Sequence, residues 1–531
     1  MPNEKALPGR TIVDAWRTRV ERHPGSPAVA YFDTVLSARE VDDASDALAT
    51  ALSDKGVARG DRVGIYLQNI PQYAITFLAL WKIGAAALLL NPMYRGRELR
   101  TIIDDAQPVG IVCDEHDLDA TAETLRGSSI RFMISTSALD FQTRNDPRVF
   151  RSTTRITAPV DDLMVLVQHN HGRRPADLPL AGDDLAVLAY TSGTTGPPKG
   201  ALNSHANVLA TALDFGEHAG LVDGDVVFAV APLFHITGAM LNAAVALARD
   251  CLLVFANRFD AEVTLDAFVE HRVTYTIGSI TVFNAISALP HAGATHFESV
   301  KTLYSGGAPI PPATTKTFEA RFGHYIHNAY GMTETTAGVI AVPPGTRAPV
   351  DATSGSLSVG KPLPRVRLRT VDSTGEPTAT GVAGELEVSG PQVVSGYWRN
   401  QEASTSTMPG GRLRTGDVAI IDEQGWVYLV DRLKDQINVS GYKVWPREVE
   451  DTLYEHPAVF EAAVVGQPDD YQGEAVIAYV ALRGGETATE EELVDFARDR
   501  LAAYKRPRTV HIIDELPKTS TGKIKRAELR R

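Results

Sequence analysis

Cysteine is almost missing from this sequence: Cys113 and Cys251 are the only two in 531 residues, with no CxxC spacing. That excludes a disulfide framework and argues against a cysteine-based zinc site, so a reducing, cytoplasmic setting is expected. A positive excess is missing too. Lys and Arg number 52 against 65 Asp and Glu, a formal charge of -13, whereas nucleic-acid binders gather Lys and Arg against phosphate; no nucleic-acid partner is expected. The basic tail Lys523-Ile-Lys525-Arg526, ending in Arg530-Arg531, is a local exception and reads as a solvated end. Long apolar runs are also absent. The greasiest stretch, Ile75 to Leu90, carries Lys82 and Gly84 and stops at Asn91-Pro92. It is too short to span a bilayer and reads as a buried helix–strand unit. The start, Met1-Pro-Asn-Glu-Lys5, has no signal-peptide core.

What remains is ordinary globular composition, 44% apolar and 22% charged. The length exceeds one hydrophobic core, so two or more domains are expected. Val41 to Lys55 repeats apolar residues at helical spacing, Arg62–Tyr66 reads as a strand, Tyr73 to Ile83 as a helix and Ala85 to Leu90 as a strand. This alternation predicts an α/β class with largely parallel, covered sheets. Ser137 to Gly182 reads as an irregular surface segment. After Pro343 the pattern turns β-rich, with alternating Gly384–Val388 and Trp426–Val430 between Gly-rich turns. The last ~98 residues read as a compact α+β unit, with Pro446 opening a helix that ends before Pro457. The expected architecture is a large N-terminal domain (1–433) of stacked α/β subdomains plus a β-rich subdomain, and a small mobile C-terminal domain (434–531).

The strand-like Leu185–Tyr190 runs into Thr191-Ser-Gly-Thr-Thr-Gly-Pro-Pro-Lys-Gly200. Glycine lets backbone N–H groups approach an anion, hydroxyls add donors, and Lys199 adds positive charge. A P-loop would read G-x-x-x-x-G-K-[ST]; counted from Gly193, the sixth position is Pro198 and the residue after Lys199 is Gly200, so that template fails twice. A Gly/Ser/Thr cluster alone could be a flexible polar loop. Ten ordered positions closed by a lysine favour a phosphate cradle.

This stretch resembles the phosphate loop of the adenylate-forming superfamily, which includes acyl-CoA synthetases, coumarate–CoA ligases, firefly-type luciferases and peptide-synthetase adenylation domains. Further motifs resemble that family in order, from about residue 35 to residue 528: Trp81–Ala86 with Asn91-Pro92, Ser305-Gly-Gly-Ala-Pro309, Asn328-Ala-Tyr-Gly-Met-Thr-Glu334, Thr415-Gly-Asp417, Asp431-Arg-Leu-Lys434, and Pro517-Lys-Thr-Ser-Thr-Gly-Lys523. The resemblance implies an ATP/AMP site of Thr191, Ser192, Gly193, Thr194, Thr195, Lys199, Gly307, Ala308, Asn328, Ala329, Tyr330, Gly331, Thr333, Asp417 and Arg432. Within it Tyr330 stacks near adenine, Thr333 meets the α-phosphate, and Asp417 accepts the ribose hydroxyls. Glu334, with Thr191, helps hold Mg²⁺, which usually takes one or two carboxylates plus substrate phosphates. Lys523 is implied as the catalytic lysine of adenylation and Lys434 as the hinge of the small domain. Ala329 and Asn328 stand where many relatives have Gly and Gln.

Val230-Ala-Pro-Leu-Phe-His-Ile-Thr-Gly238 points to the branch. Amino-acid-activating relatives usually place Asp after the Phe to pair the substrate ammonium; here His235 stands there, and an unpaired ammonium is costly. His235 resembles the gating residue of acyl- and aryl-CoA ligases. The expected acyl pocket comprises His235, Thr237, Gly238, Met240, Ser279, Ile280, Phe283, Tyr304, Gly306 and Met332, with Tyr304 narrowing one wall. No acidic residue is among them, so a hydrophobic acid is expected, a medium or long fatty acid first and aryl or alicyclic acids next. The chain stops eight residues after Lys523 without a carrier-protein domain, which favours CoA as acceptor, with Ser440-Gly441-Tyr442 resembling the loop that lines the pantetheine tunnel. The implied cycle makes acyl-AMP from the acid and ATP·Mg²⁺, then rotates about Lys434 for the CoA thiol to displace AMP. Three alternatives stay open: an adenylation enzyme loading a separate carrier protein, a luciferase-like oxygenase, and a non-catalytic nucleotide binder, the last opposed by intact Glu334, Asp417 and Lys523. A homodimer is also left open.

Overall fold

The computed structural model describes residues 11–156, 159–191, 197–308, 310–351, 355–432, 435–440, 442–469, 472–519 and 524–530. The first sheet has seven strands in the spatial order Asp161–Asp162, Phe132–Thr136, Gly110–Asp114, Arg62–Tyr66, Ala86–Leu89, β1 (Leu185–Tyr190) and Gly200–Ser204. Every neighbouring pair is parallel except the last. A second sheet of nine strands runs Lys361–Pro362, Ala337–Ala341, Ile326–Met332, Thr302–Gly306, Tyr275–Gly278, Val226–Phe228, Leu252–Phe255, Pro27–Tyr31 and Thr34–Ser37. Its inner strands β2 (Val226–Phe228), β3 (Tyr275–Gly278), β4 (Thr302–Gly306) and β5 (Ile326–Met332) are parallel neighbours.

Two helices show how the sheets are joined. Helix α1 (Ala38–Asp54) begins at a capping box in which Glu40 N–H donates to Ser37 Oγ at 3.2 Å and Ser37 N–H to Glu40 Oε2 at 2.8 Å. Helix α2 (Pro71–Lys82) starts with Pro at its first position, where no N–H is needed, and is buried along its whole length. Phe77 and Trp81 stack at 4.9 Å, and Trp81 Nε1–H donates to Ala186 O on β1 at 2.9 Å. The one charge in this apolar stretch is fully neutralised. Lys82 Nζ donates to Asp42 Oδ1 at 2.7 Å, Asp46 Oδ1 at 2.6 Å and Ser45 Oγ at 2.7 Å, all on α1. Removing one partner of such a buried pair costs about 3–5 kcal/mol, so the ammonium locks α2 onto α1 rather than weakening the unit.

Part of the segment expected to be irregular is ordered. Leu163–His169 forms a helix capped by Asp162, whose carboxylate accepts Val165 N–H at 3.1 Å, and Leu163 is buried. The β-rich region is a four-stranded antiparallel sheet of Arg367–Val371, β6 (Gly384–Ser389), β7 (Leu413–Ile421) and β8 (Val427–Arg432). Beyond it the chain builds a smaller α+β unit with its own cores. Its five-stranded sheet centres on β9 (Val459–Asp469) paired with Gly473–Leu482, and α3 (Pro446–Tyr454) packs against it. Among the described residues no helix is long and apolar enough to cross a membrane, and both cysteines are buried thiols.

Candidate functional site

Four adjacent parallel strands, β2 to β5, end on the same edge of the nine-stranded sheet. In open α/β sheets that carboxyl edge is where ligands bind, because every following loop starts there. His235 lies in the loop after β2, Ser279 and Ile280 follow β3, Gly306 to Ala308 close β4, and Tyr330 to Met332 close β5. Register places Ser305 beside Asn328 and Gly306 beside Ala329. These four segments, spread from His235 to Met332, therefore meet at one edge through topology alone.

Close backbone approach explains the glycines here. A Cβ on Gly331 would stand 1.8 Å from Ala337 O, and one on Gly238 2.2 Å from Pro232 O. Neither position can hold a larger residue without moving main chain.

Tyr330 Oη donates to Asp417 Oδ2 at 2.6 Å, and Arg432 Nε lies 3.0 Å from Asp417 Oδ1. β7 and β8 supply the latter two side by side, since Asp417 and Arg432 are register partners. Burial, reinforced by the Asp417 charge, pushes the Tyr330 hydroxyl well above its ordinary range, so it stays a donor. Glu334 is buried, and its Oε1 accepts Tyr397 Oη at 2.7 Å. Burial and Glu334 likewise raise the Tyr397 hydroxyl. Lys199 Nζ sits 5.3 Å over the Tyr397 ring, and Thr191 N–H donates to Lys199 O at 2.9 Å. Thr191 Oγ1 accepts Lys199 N–H at 3.4 Å, closing the base of the loop. Beside Glu334 and Tyr397 opens a cleft of about 490 Å³, lined also by Met332, Glu385, Arg414 and Thr415, among others.

Tyr397, Glu385 and Arg414 were not singled out from sequence. Tyr397 bridges Ala201, and beside it Trp398 N–H donates to Gly200 O at 2.7 Å and Leu202 N–H to Gly396 O at 3.1 Å, stitching the segment to the strand that leaves the phosphate loop. Glu385 and Arg414 form an ion pair across β6 and β7.

Other expected residues divide. Asn328 is buried with its amide 3.4 Å from Ser358 O, Gly307 has a positive φ of 83°, and Thr333 O accepts the Asn203 amide at 3.1 Å. His235, Thr237, Gly306 and Met332 are half-buried at the strand edge, and the His235 ring accepts Thr237 N–H at 3.3 Å. Ile280 and Phe283 are buried nearby on the helix that follows β3. Met240 is wholly buried in a π-helical turn, Ala239–Ala244. Tyr304 is fully buried, its hydroxyl donates to Val342 O at 3.0 Å, and its ring packs 5.3 Å from Phe215. Ser440 has a positive φ of 53°, and Tyr442 is exposed and stacked on Tyr504 at 4.8 Å. Ser192, Gly193, Thr194, Thr195, Lys434, Gly441 and Lys523 lie outside the described residues.

Two comparisons decide the family. Residues 16–398 match the AMP-binding enzyme family and residues 448–523 its C-terminal domain. The chain belongs to the AMP-binding enzymes. Like other members it joins a large N-terminal domain to a small C-terminal one. It is 32% identical to a long-chain-fatty-acid–CoA ligase of Bacillus subtilis, covering 100% of this chain and 96% of that one. It is 33% identical to a feruloyl-CoA synthase of Amycolatopsis, covering 97% and 98%. Among solved structures, ATP-bound MatB from Rhodopseudomonas palustris superposes with a TM-score of 0.87 at 28% identity over 98% of each chain. Apo MatB from the same source gives 0.78 at the same identity and coverage. This AMP-binding enzyme therefore superposes more closely on the ATP-bound form than on the apo form.

Within the AMP-binding fold the junction of β8 and the C-terminal unit is heavily charged. Asp431 accepts Arg447 N–H at 3.0 Å and Arg432 N–H at 2.7 Å, and Arg447 Nη1 reaches Leu429 O at 3.2 Å. Burial lifts the Asp431 carboxyl from 3.8 to about 6, although Arg526 pulls the other way. The folded state thus keeps this proton to higher pH than the unfolded chain, so the group's contribution to stability declines as pH rises from about 4 to 6 and is level above. Asp431→Asn lacks that decline. The melting temperature of the variant minus that of the wild type should therefore rise between pH 4 and 6.5; a flat or falling difference would contradict the buried-carboxyl assignment.

Proposed function

We propose that this enzyme is an AMP-forming ligase that activates a hydrophobic carboxylic acid, a medium or long fatty acid first, and passes the acyl group to CoA. The reaction class is ATP-dependent acid–CoA ligation through acyl-AMP. The observation that carries the reading is the convergence of Tyr330–Asp417–Arg432 and Glu334–Tyr397 at the carboxyl edge of β2 to β5.

In this reading Asp417, held by Tyr330 and Arg432, keeps its carboxylate oxygens aligned for the ribose hydroxyls. Lys199 and the Thr191–Gly200 loop hold the phosphates. The donor set fits Mg²⁺ in a particular way. Among the described residues no three carboxylate, His or Cys side chains cluster into a cage, whereas Mg²⁺ characteristically takes few protein oxygens and shares substrate phosphates. Glu334, fixed through Oε1 by Tyr397 and facing the cleft, is the carboxylate that would hold it, with the Thr191 hydroxyl near the loop base. The ion would neutralise phosphate charge. Lys523 would approach the carboxylate and α-phosphate during adenylation, and domain rotation about Lys434, with the domain boundary at 433/434, would bring the CoA thiol past Ser440–Tyr442. Oxygen attack of the carboxylate on the α-phosphorus expels pyrophosphate; thiol attack on the acyl carbon then expels AMP.

His235 caps a helical turn at the strand edge, and no acidic residue stands among the residues proposed to line the acyl pocket, which supports an uncharged, apolar acyl chain. The test is CoA-dependent AMP release across fatty, aryl and alicyclic acids. A maximum among C8–C18 fatty acids is expected. A maximum with an aryl acid would move the assignment, and pyrophosphate exchange without any CoA thioester would replace CoA with a carrier protein.

A further inference from the structure

The basic tail is not a solvated end. Arg526 is mostly buried, with its Nε 3.0 Å from Glu450 Oε1 and its Nη2 2.6 Å from Glu450 Oε2, a two-point grip on helix α3. Its Nη1 lies 3.5 Å from Asp435 Oδ2 and 3.9 Å from Asp431 Oδ1. Arg530 Nη2 takes the other Asp435 oxygen at 2.6 Å. Glu450 is itself fixed, because its Oε1 accepts Val464 N–H from β9 at 2.7 Å.

The loop that contains Lys523 is gripped at both feet. Lys518 and Ile524 form an antiparallel bridge, and Lys525 N–H donates to Pro517 O at 2.7 Å. On the entering side Lys518 Nζ pairs with Glu461 at 2.8 Å, and on the leaving side Arg526 pairs with Glu450. Leu516 and Leu529 already bury this segment against Ala463, Val465 and Ile477. Apolar burial therefore docks the tail without help from Arg526. A buried arginine surrounded by carboxylates adds little net stability over an apolar side chain, since desolvation offsets the attraction. What it adds is direction: a planar fork that accepts few geometries. Its carboxylates Asp431 and Asp435 stand on either side of Lys434 in sequence.

We propose that Arg526 is a positioning residue for adenylation: it ties the tail that carries Lys523 to helix α3 and to the carboxylates on either side of Lys434, so that the base of the tail is held in one place relative to β8 for that step. This rests on the proposed role of Lys523. The grip fixes where the loop base sits relative to β8, and misplacing a reacting group by about 1 Å can cost roughly 100-fold in rate.

The experiment scores two half-reactions on the full chain: acid-dependent ATP–pyrophosphate exchange with dodecanoate, or the best acid of the screen, and thioester formation from the matching acyl-AMP and CoA. Arg526→Met, which keeps the apolar stem, is expected to lose exchange by about 100-fold while thioester formation stays within about 3-fold. Arg526→Lys should recover only part, because a point charge cannot reproduce the fork. Asp435→Asn is a milder second variant that leaves the Arg526–Glu450 grip intact, and a selective loss of about 10-fold in exchange is expected. Unchanged exchange in Arg526→Met would overturn the proposal. So would an equal fall of both half-reactions there with no selective loss in Asp435→Asn, since that is a purely structural role. Lys523→Ala run alongside separates the two ideas: if it keeps exchange, the reading of Lys523 fails; if it loses exchange while Arg526→Met does not, only the positioning role fails.

Discussion

Lys523→Ala should lower acid-dependent pyrophosphate exchange by roughly 100- to 1,000-fold while thioester formation from supplied acyl-AMP stays within about 3-fold. In adenylation the carboxylate oxygen and the α-phosphate both carry negative charge as they approach, and expulsion of pyrophosphate moves more onto the leaving oxygens. A preorganised ammonium in a site from which water is withdrawn lowers that barrier by several kcal/mol, and removing one such donor typically costs about 2.7–4 kcal/mol. Thiol attack on acyl-AMP builds its charge on the acyl oxygen instead, so a lysine aimed at the α-phosphate has no part in it. Equal loss of both half-reactions would mean that Lys523 supports the fold or both steps, and would count against its assignment. The tail around it supports a specific effect: Leu516 and Leu529 remain to dock the segment after the ammonium is gone.

Much of this site is written locally. β1 occupies Leu185–Tyr190, and Arg62–Tyr66 is a strand, as their apolar patterns predict. Helix α3 starts at Pro446 and stops at Tyr454, before Pro457, because proline suits a helix start and restricts the residue ahead of it. The largely parallel order of the two big sheets follows from helix–strand alternation. What could not be read depends on partners far away in sequence. Arg526 meets Glu450 across 76 residues and Arg530 meets Asp435 across 95. No window of the tail distinguishes these arginines from solvated ones. Tyr397 approaches Glu334 from 63 residues away, through a strand pairing that only the folded chain creates. The packing of Tyr304 is of the same kind: a strand's alternation says which residues share a face, but not which face is packed against Phe215. The helix Leu163–His169 was hidden by polar neighbours, and its single buried anchor, Leu163, leaves little amphipathic signal.

Lys434→Pro should give the opposite signature to Lys523→Ala: exchange within about 3-fold of wild type and thioester formation down by roughly 100-fold or more. Proline fixes φ near −65° and removes the N–H. A single conformation at this position can suit one domain orientation but not two, and rotation about a hinge requires a large φ/ψ change in few residues. The superposition, closer on a relative's ATP-bound form than on its apo form, is the ground for expecting adenylation to be the half that survives. The neighbourhood points the same way. Asp431 accepts two backbone N–H groups, from Arg432 and Arg447, and Asp435 is held by Arg526 and Arg530. Both carboxylates that flank Lys434 in sequence are thus restrained in this arrangement. Transfer to CoA at wild-type rate in Lys434→Pro would place the hinge elsewhere, whereas loss of exchange as well would show that proline had distorted the ATP-binding arrangement itself. The pair of variants thus separates the two steps by chemistry in one case and by backbone freedom in the other.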